Sequence, residues 1–336
     1  MSNRASVVVP LPSDPRREFA GLPLPITLFS IPLGLAGLGA AWTAASDVLG
    51  APTLPGDLSY AAAAIVWATF LVLYVVARIR HGSGSFRLDL RHPLTGPLTA
   101  YIPVIAMLLV PHYATGLGAA GRGLVYLALG GLVLNAAALV AHWLKAPLEQ
   151  NALHPGYFLP VTAGPFVASV GLMRVDDTGA AIAMFGVGIF FWLLIGSVVT
   201  ARLFFGPPLP AQFRPVLSIL LSPPGTASLA WFAITRGRID VVQLTIIGVT
   251  LFLLLVQLFF IGDYVPFPFT TQHWVFTFPL AVLGSMSVRW AGGTHDSSWE
   301  WLAWSVLSAS TLLILGIAAG TLRDAARWLG RHVGIS

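Results

Sequence analysis

The chain has 336 residues, of which 56% are hydrophobic and only 9% charged, with a formal net charge of +5 and no cysteine. Soluble domains carry about 25% charged residues, and a mean hydropathy of +0.82 leaves too little polar surface to cover a water-soluble globule. A soluble enzyme, a nucleic-acid binder and a disordered scaffold are excluded, as are a disulfide framework, a thiolate metal site and a Cys nucleophile.

The N-terminal stretch Met1 to Arg17 is polar and punctuated by prolines. It lacks the short apolar region and small-residue cleavage site of a signal peptide and reads as a retained tail. A helix needs roughly 20 apolar residues to cross the hydrocarbon core. On that criterion the sequence predicts ten membrane spans, over 26–46, 58–79, 97–117, 122–144, 157–174, 179–203, 214–235, 241–262, 272–291 and 299–321. The connections are short. Residues 1–336 therefore read as a single all-α transmembrane domain, with cytoplasmic tails over 1–24 and 322–336.

An even number of spans puts both termini on one side. On that side lie Arg4, Arg16, Arg17, Arg78, Arg80, Arg87, Arg91, Lys145, Arg202, Arg214, Arg323, Arg327 and Arg331, which is 13 of the 18 basic residues. Arg122, Arg174, Arg236, Arg238 and Arg289 lie opposite. The positive-inside rule then predicts a multi-pass protein of the inner membrane with both termini cytoplasmic.

The prolines within the spans are Pro32, Pro97, Pro103, Pro111, Pro160, Pro165, Pro215, Pro223, Pro224 and Pro279, and every one falls in an odd-numbered span. Proline removes a backbone hydrogen bond and bends a helix. In lipid the freed carbonyl needs a neighbour or water, so bent helices belong inside protein or along a cavity. The alternation predicts five helical hairpins in a quasi-fivefold ring, each with a bent inner helix and a straight outer one. Kinks at Pro32, Pro103, Pro160, Pro165, Pro223 and Pro279 would then line a central path.

The odd spans carry no Asp, Glu, Lys or Arg in their middles. Proton relays and coupled-ion sites generally use such residues, and cation filters use acidic rings or ordered carbonyls. Passive conduction of an anion is the remaining expectation. It would be favoured by helix N-termini and an Arg-rich cytoplasmic mouth.

Four segments carry a family resemblance: Phe29-Ser30-Ile31-Pro32-Leu33-Gly34-Leu35, His154-Pro155-Gly156-Tyr157-Phe158-Leu159-Pro160, Pro210-Ala211-Gln212-Phe213-Arg214 with Ser222-Pro223-Pro224, and Trp274-Val275-Phe276-Thr277-Phe278-Pro279. In register, over essentially the whole chain, they resemble the tellurite-resistance TehA and slow-type plant anion channel family, also called the tellurite-resistance/dicarboxylate transporter family. The resemblance implies homotrimers in which each subunit has its own pore of five inner helices within five outer ones, blocked by a phenylalanine of the ninth helix. That position is Phe278 here. The implied function is a gated channel for small monovalent anions such as chloride or nitrate. The alternative is a proton-linked transporter of C4-dicarboxylates, sulfite or tellurite-related oxyanions.

Phe276 is two positions from Phe278, about 200° around a helix, and is expected to pack elsewhere. Ser30, two residues before Pro32, is placed to face Phe278 across the pore. Arg202 and Arg214 are candidates for anion attraction at the cytoplasmic mouth, with membrane anchoring as the alternative for each. Asp263 reads as a solvated loop residue, and His154 with Pro155 as shaping the start of span five. Gly34, Gly37 and Gly39 fit close helix packing. The eight histidines show no pair at ligand spacing, and there is no Walker loop, dinucleotide fingerprint or HExxH. No metal, cofactor, nucleic-acid partner or enzymatic activity is expected. The expected partners are inorganic or small organic anions, the lipid bilayer and further copies of the chain.

Overall fold

The computed structural model describes residues 24–80, 85–146, 148, 150–266, 268–294 and 296–333. Arg4, Arg16, Arg17, His81 and His295, and all but the last residue of the expected N-terminal tail, lie outside them. Among the described residues the fold is all-helical, without strands.

The odd-numbered spans are each built in two parts. A tight 3₁₀ lead-in, Ile26–Phe29, runs into helix α1, Ser30–Leu49. Gly96–Ala100 runs likewise into α4, Tyr101–Ala114. A 3₁₀ turn Pro155–Tyr157 and a π-helical turn Leu159–Ala163 precede α6, Gly164–Met173. Ala211–Leu221 precedes α8, Ser222–Ile234, and Thr271–Phe276 precedes α11, Thr277–Thr294. The sequence explains where each change occurs. Pro32, Pro103, Pro165, Pro223 with Pro224, and Pro279 all fall within the first three residues of the α-helical part. A first-turn proline has its φ already set for the α-helix and has no N–H to leave unpaired there.

The even-numbered spans are unbroken α-helices: α2 (Leu54–Arg80), α5 (Gly118–Lys145), α7 (Thr178–Phe205), α9 (Val241–Phe259) and α12 (Glu300–Val333). Two short helices, α3 (Ser85–Arg91) and α10 (Ile261–Tyr264), follow α2 and α9. The helix of α12 continues without a break from the last span to Val333, so no structural boundary marks residue 322.

Burial separates the two sets. In the apolar stretches of the first, third, fifth and seventh spans 61–89% of residues are buried, against 11–22% in the even spans. Each even helix packs on the odd helix before it: α2 on α1, α5 on α4, α7 on α6, α9 on α8 and α12 on α11. The odd helices also touch one another, in the pairs α1–α4, α4–α6, α6–α8, α8–α11 and α11–α1.

Nine helices among the described residues are long and apolar enough to cross a membrane. The expected ninth span, 272–291, is helical but is not one of these nine. It carries Thr277, Ser285, Ser287 and Arg289, and much of α11 is buried between α1, α8 and α12. A helix enclosed by protein does not need a lipid-compatible surface, so its hydropathy underestimates its place in the bundle.

The α1–α11 contact depends on missing side chains. A Cβ at Gly34 would lie 1.9 Å from Thr277 Oγ1, and one at Gly37 would lie 3.1 Å from the Phe278 ring. Gly39 gives the same closeness to Tyr60 of α2. On the face where the even helices begin, aspartates cap two of them and the turn that leads into a third. Asp177 and Asp240 accept backbone N–H groups at the starts of α7 and α9, each at 3.0 Å. Asp296 does so at 2.9 Å in the turn that leads into α12. These bonds hold all three carboxyls below the usual carboxylate range.

Candidate functional site

The five junctions between lead-in and α-helix meet around one cavity. Its walls are Ser30 and Leu33 of α1, Leu98 and Tyr101 of the third span, and Gly156, Leu159 and Ala163 of the fifth. Ile219 and Ser222 of the seventh span and Trp274, Val275, Phe278 and Pro279 of the ninth complete it. The space left for water is about 30 Å³, room for one or two molecules. Such a narrow, mostly apolar constriction does not hold the continuous water column that a hydrated ion needs.

The lining residues follow from the prolines. Ser30, Tyr101 and Ala163 each stand two residues before a junction proline, Ser222 stands one before Pro223, and Phe278 one before Pro279. The N-terminal ends of five α-helices therefore lie at the cavity, and a helix N-terminus carries partial positive charge. Among the lining side chains there is no Asp, Glu, Lys, Arg or His. Hydroxyls of Ser30, Ser222 and Tyr101 supply the polarity.

Phe278 is buried, with 5% of its surface exposed, and its ring lies against Gly37 of the facing helix. Ser30 lines the same cavity, and its hydroxyl donates to the Thr27 carbonyl at 2.7 Å, which ties α1 to its lead-in. Thr277 repeats that bond to the Trp274 carbonyl at 2.7 Å. The indole N–H of Trp274 donates to Thr321 of α12 at 2.8 Å, fixing the ring as a wall. Phe276 turns away and packs edge-on against Tyr264, ring centroids 5.0 Å apart.

The other expected site residues lie elsewhere. Pro32, Pro160, Pro165 and Pro223 are largely buried at or near the junctions but do not form the cavity wall. Pro103 points away from it into a separate crevice beside α2, α3 and α5. Neither arginine stands free at a mouth. Arg202 is buried and donates to the Pro207 carbonyl at 2.9 Å. Arg214 forms an ion pair with Asp263, which remains partly exposed but sits in the short helix α10 and not in a loop as expected. His154 accepts the Gly156 N–H on Nδ1 at 3.0 Å, and its Nε2 lies 2.9 Å from the Leu94 carbonyl. It therefore caps the turn that carries Gly156 to the cavity. Burial holds its pKa below the ordinary value, and Arg202 adds to that.

Tyr101 and Trp274 are the large lining residues that sequence reasoning did not single out. The signal for Tyr101 was available: it precedes Pro103 by two, as Ser30 precedes Pro32. Trp274 has no such offset; it opens one of the family segments, but its place in the wall is found only in the fold.

A family model described as SLAC1, voltage-dependent anion channel, matches residues 23–322. The chain belongs to this family. It is 26% identical to a tellurite resistance protein TehA homolog of Haemophilus influenzae over 278 residues, 81% of this chain and 82% of that protein. It is also similar to the guard cell S-type anion channel SLAC1 of Arabidopsis thaliana, 25% identical over 192 residues, which span 56% of this chain and 34% of the plant protein. The S-type anion channel SLAH1 of the same plant is 30% identical over 168 residues, 49% of this chain and 43% of that one. The matched stretches thus span less than half the length of these two plant relatives. As a SLAC1-family member with many apolar helices, the chain is a multi-pass membrane protein of an anion-handling family, and the junction cavity is its candidate site.

Proposed function

We propose that this chain is a gated channel for small monovalent anions, of the chloride or nitrate kind, and that Phe278 blocks the path through each subunit. The observation that carries this reading is the junction cavity, to which all five proline-bearing spans contribute and in which Phe278 is a bulky wall residue. The pairwise contacts among α1, α4, α6, α8 and α11 support a closed ring of five inner helices with five outer partners, ten crossings in all. With no acidic or basic side chain at the cavity, the N-terminal ends of the inner α-helices are the nearest fixed positive potential, which favours anions. Arg202 and Arg214 are engaged by Pro207 and Asp263, so they serve the fold before they serve the ion. The 13-to-5 division of basic residues supports cytoplasmic termini in the inner membrane. A homotrimer with one pore per subunit follows from the family resemblance.

A second reading, a proton-linked transporter of dicarboxylates, sulfite or tellurite-related oxyanions, is favoured by one observation: the TehA homolog, named for tellurite resistance, aligns over most of both chains. Reversal potentials in proteoliposomes separate the two. Under the channel reading the potential follows the chloride or nitrate gradient and is indifferent to pH. A reversal potential that moves with pH at a fixed anion gradient overturns it in favour of coupled transport.

A further inference from the structure

A second space, with no lining residue in common with the junction cavity, opens on the side of the bundle between α2, α3, α4 and α5. It measures about 450 Å³, within the range of pockets that hold a substantial ligand. Its lining is layered along α2. Leu71, Pro103 and Gly131 form an apolar floor, Thr99 and Asn135 a polar collar, and Arg78 the rim. From Leu71 to Arg78 is seven helical residues, a depth of roughly 10 Å.

The collar and rim are organised. The Asn135 amide donates to Thr99 Oγ1 at 3.1 Å, and Thr99 donates on to the Gly96 carbonyl at 2.8 Å. The Asn135 side-chain carbonyl is buried and accepts no hydrogen bond. A buried acceptor without a donor is costly, and more so beside lipid than beside water. At the rim, Arg78 pairs with Asp89 of α3 at 2.6 Å and lies 4.8 Å over the Tyr74 ring. Arg80 and Arg87 are exposed and directly follow the lining residues Ile79 and Phe86 in the chain, and Arg91 is exposed at the end of α3. Residues 78–91, which carry the rim, hold four arginines and one acid, Asp89, so this segment is net positive. α2 and α5, which flank the opening, are mostly exposed along their lengths, so the crevice faces the bilayer.

We propose that this crevice is a binding site for an anionic phospholipid with a hydroxyl-bearing headgroup. One acyl chain occupies the floor over Gly131 and Pro103. A glycerol or headgroup hydroxyl donates to the Asn135 carbonyl. The phosphate lies at the arginine rim, where basic residues attract anionic headgroups. The site shares a segment with the junction cavity: Thr99, Ile102 and Pro103 face the crevice, and Leu98 and Tyr101 face the cavity.

The test uses the full chain purified with phosphatidylglycerol and phosphatidylcholine as probes, read by native mass spectrometry. The wild type should retain phosphatidylglycerol over phosphatidylcholine by about fivefold, the effect of one basic residue near an anionic surface. A Cβ at Gly131 meets only Pro103, at 4.0 Å, so Gly131→Leu should fill the floor and lower retention roughly tenfold without lowering the melting temperature. Asn135→Leu should remove most of the preference for phosphatidylglycerol. A photoactivatable phosphatidylglycerol, cross-linked to the wild type, should label Leu71, Ile102 or Gly131, which keeps the test independent of any variant's folding. Equal retention of the two lipids, undiminished retention in Gly131→Leu, or labelling confined to other faces overturns the proposal. So does disulfide cross-linking between two copies through Ile79→Cys, which would make the crevice a subunit contact.

Discussion

The two sets of helices reach the same membrane by opposite physical means. α2, α5, α7, α9 and α12 are unbroken, exposed and rich in aliphatic side chains, and their stability comes from their own backbone ladders in an apolar solvent. The buried spans are interrupted near their N-termini, carry small and hydroxylated residues, and hold their shape through one another. Their α-helical parts also begin differently. α1, α4, α6 and α8 start without a side-chain cap because a 3₁₀ or π-helical lead-in continues straight into them. α7 and α9 instead start from loops and use aspartate caps, and Asp296 caps the turn that leads into α12. An interrupted helix tolerates lipid poorly but can place a chosen side chain at a fixed depth. That is the use the buried set makes of its prolines.

The largest expected effect is at that placed side chain. Phe278→Ala removes a ring from a cavity with room for only one or two waters, so anion current in bilayers should rise on the order of tenfold or more. Ion preference should change less, since the helix ends that favour anions remain. Phe276→Ala is the matched control. Its ring contacts Tyr264 on the other side of the helix, so the loss should appear as about 1–3 kcal/mol of stability with no new current. A silent, folded Phe278→Ala, or an open Phe276→Ala, removes the distinction between the two faces of the ninth span.

Next in size is the contact on which the buried set depends. Gly34→Ala would put a methyl carbon 1.9 Å from Thr277 Oγ1, and the Thr277 hydroxyl is held by the Trp274 carbonyl. α1 and α11 must separate, at about 3 kcal/mol, the upper end of ordinary overpacking costs. Gly130→Ala on α5, where a Cβ meets nothing, should be neutral or stabilising. Melting curves in detergent that fail to distinguish the two variants would show that the buried helices do not depend on this close approach.

Much of this contrast is legible in the sequence because proline is a backbone signal that tertiary context rarely overrides. Ten prolines in odd spans and none in even ones identified which helices would be buried. What proline could not supply is the direction of each side chain around its helix. Pro103 was expected at the pore, yet its own position faces the crevice, and the residue two before it, Tyr101, faces the cavity. Long-range partners were also out of reach. The pairing of Arg214 with Asp263 joins residues 49 apart, and no local pattern in either segment announces it. The ninth span was found by its apolar length although its hydropathy is weak, and it carries one of the four family segments.

A smaller effect tests how firmly a lead-in is held. His154 is neutral in the fold, where Nδ1 accepts the Gly156 N–H, and burial lowers its pKa below the unfolded value of about 6.5. The unfolded chain therefore binds this proton more readily. The stabilisation is complete above about pH 6.5 and declines as pH falls from there towards the lower folded value. Melting temperature measured from pH 7.5 down to 5.5 should fall, and His154→Asn, which keeps a capping acceptor but does not titrate, should flatten that slope. An unchanged slope in the variant would assign the pH response to another group.

The smallest effect belongs to the exposed set and isolates the cap itself. Asp240 accepts the Gln243 N–H at 3.0 Å and the Trp231 indole N–H at 2.8 Å, so it joins the start of α9 to the end of α8. Asp240→Ala loses both bonds and should cost about 1 kcal/mol, as N-cap removal does elsewhere. Asp240→Asn keeps an acceptor for the helix and should recover most of that loss at neutral pH. The carboxyl titrates below the usual range, chiefly through the Gln243 N–H. Its contribution is therefore present above about pH 4 and is lost as acid protonates it, whereas Asp240→Asn should show no such acid loss. Melting temperatures of the three proteins at pH 7 and well below pH 4, where the folded carboxyl takes up its proton, read both effects. If Asp240→Ala is neutral at pH 7, the exposed helices take their stability from lipid and length alone, and the aspartate caps do not contribute to the contrast with the buried set.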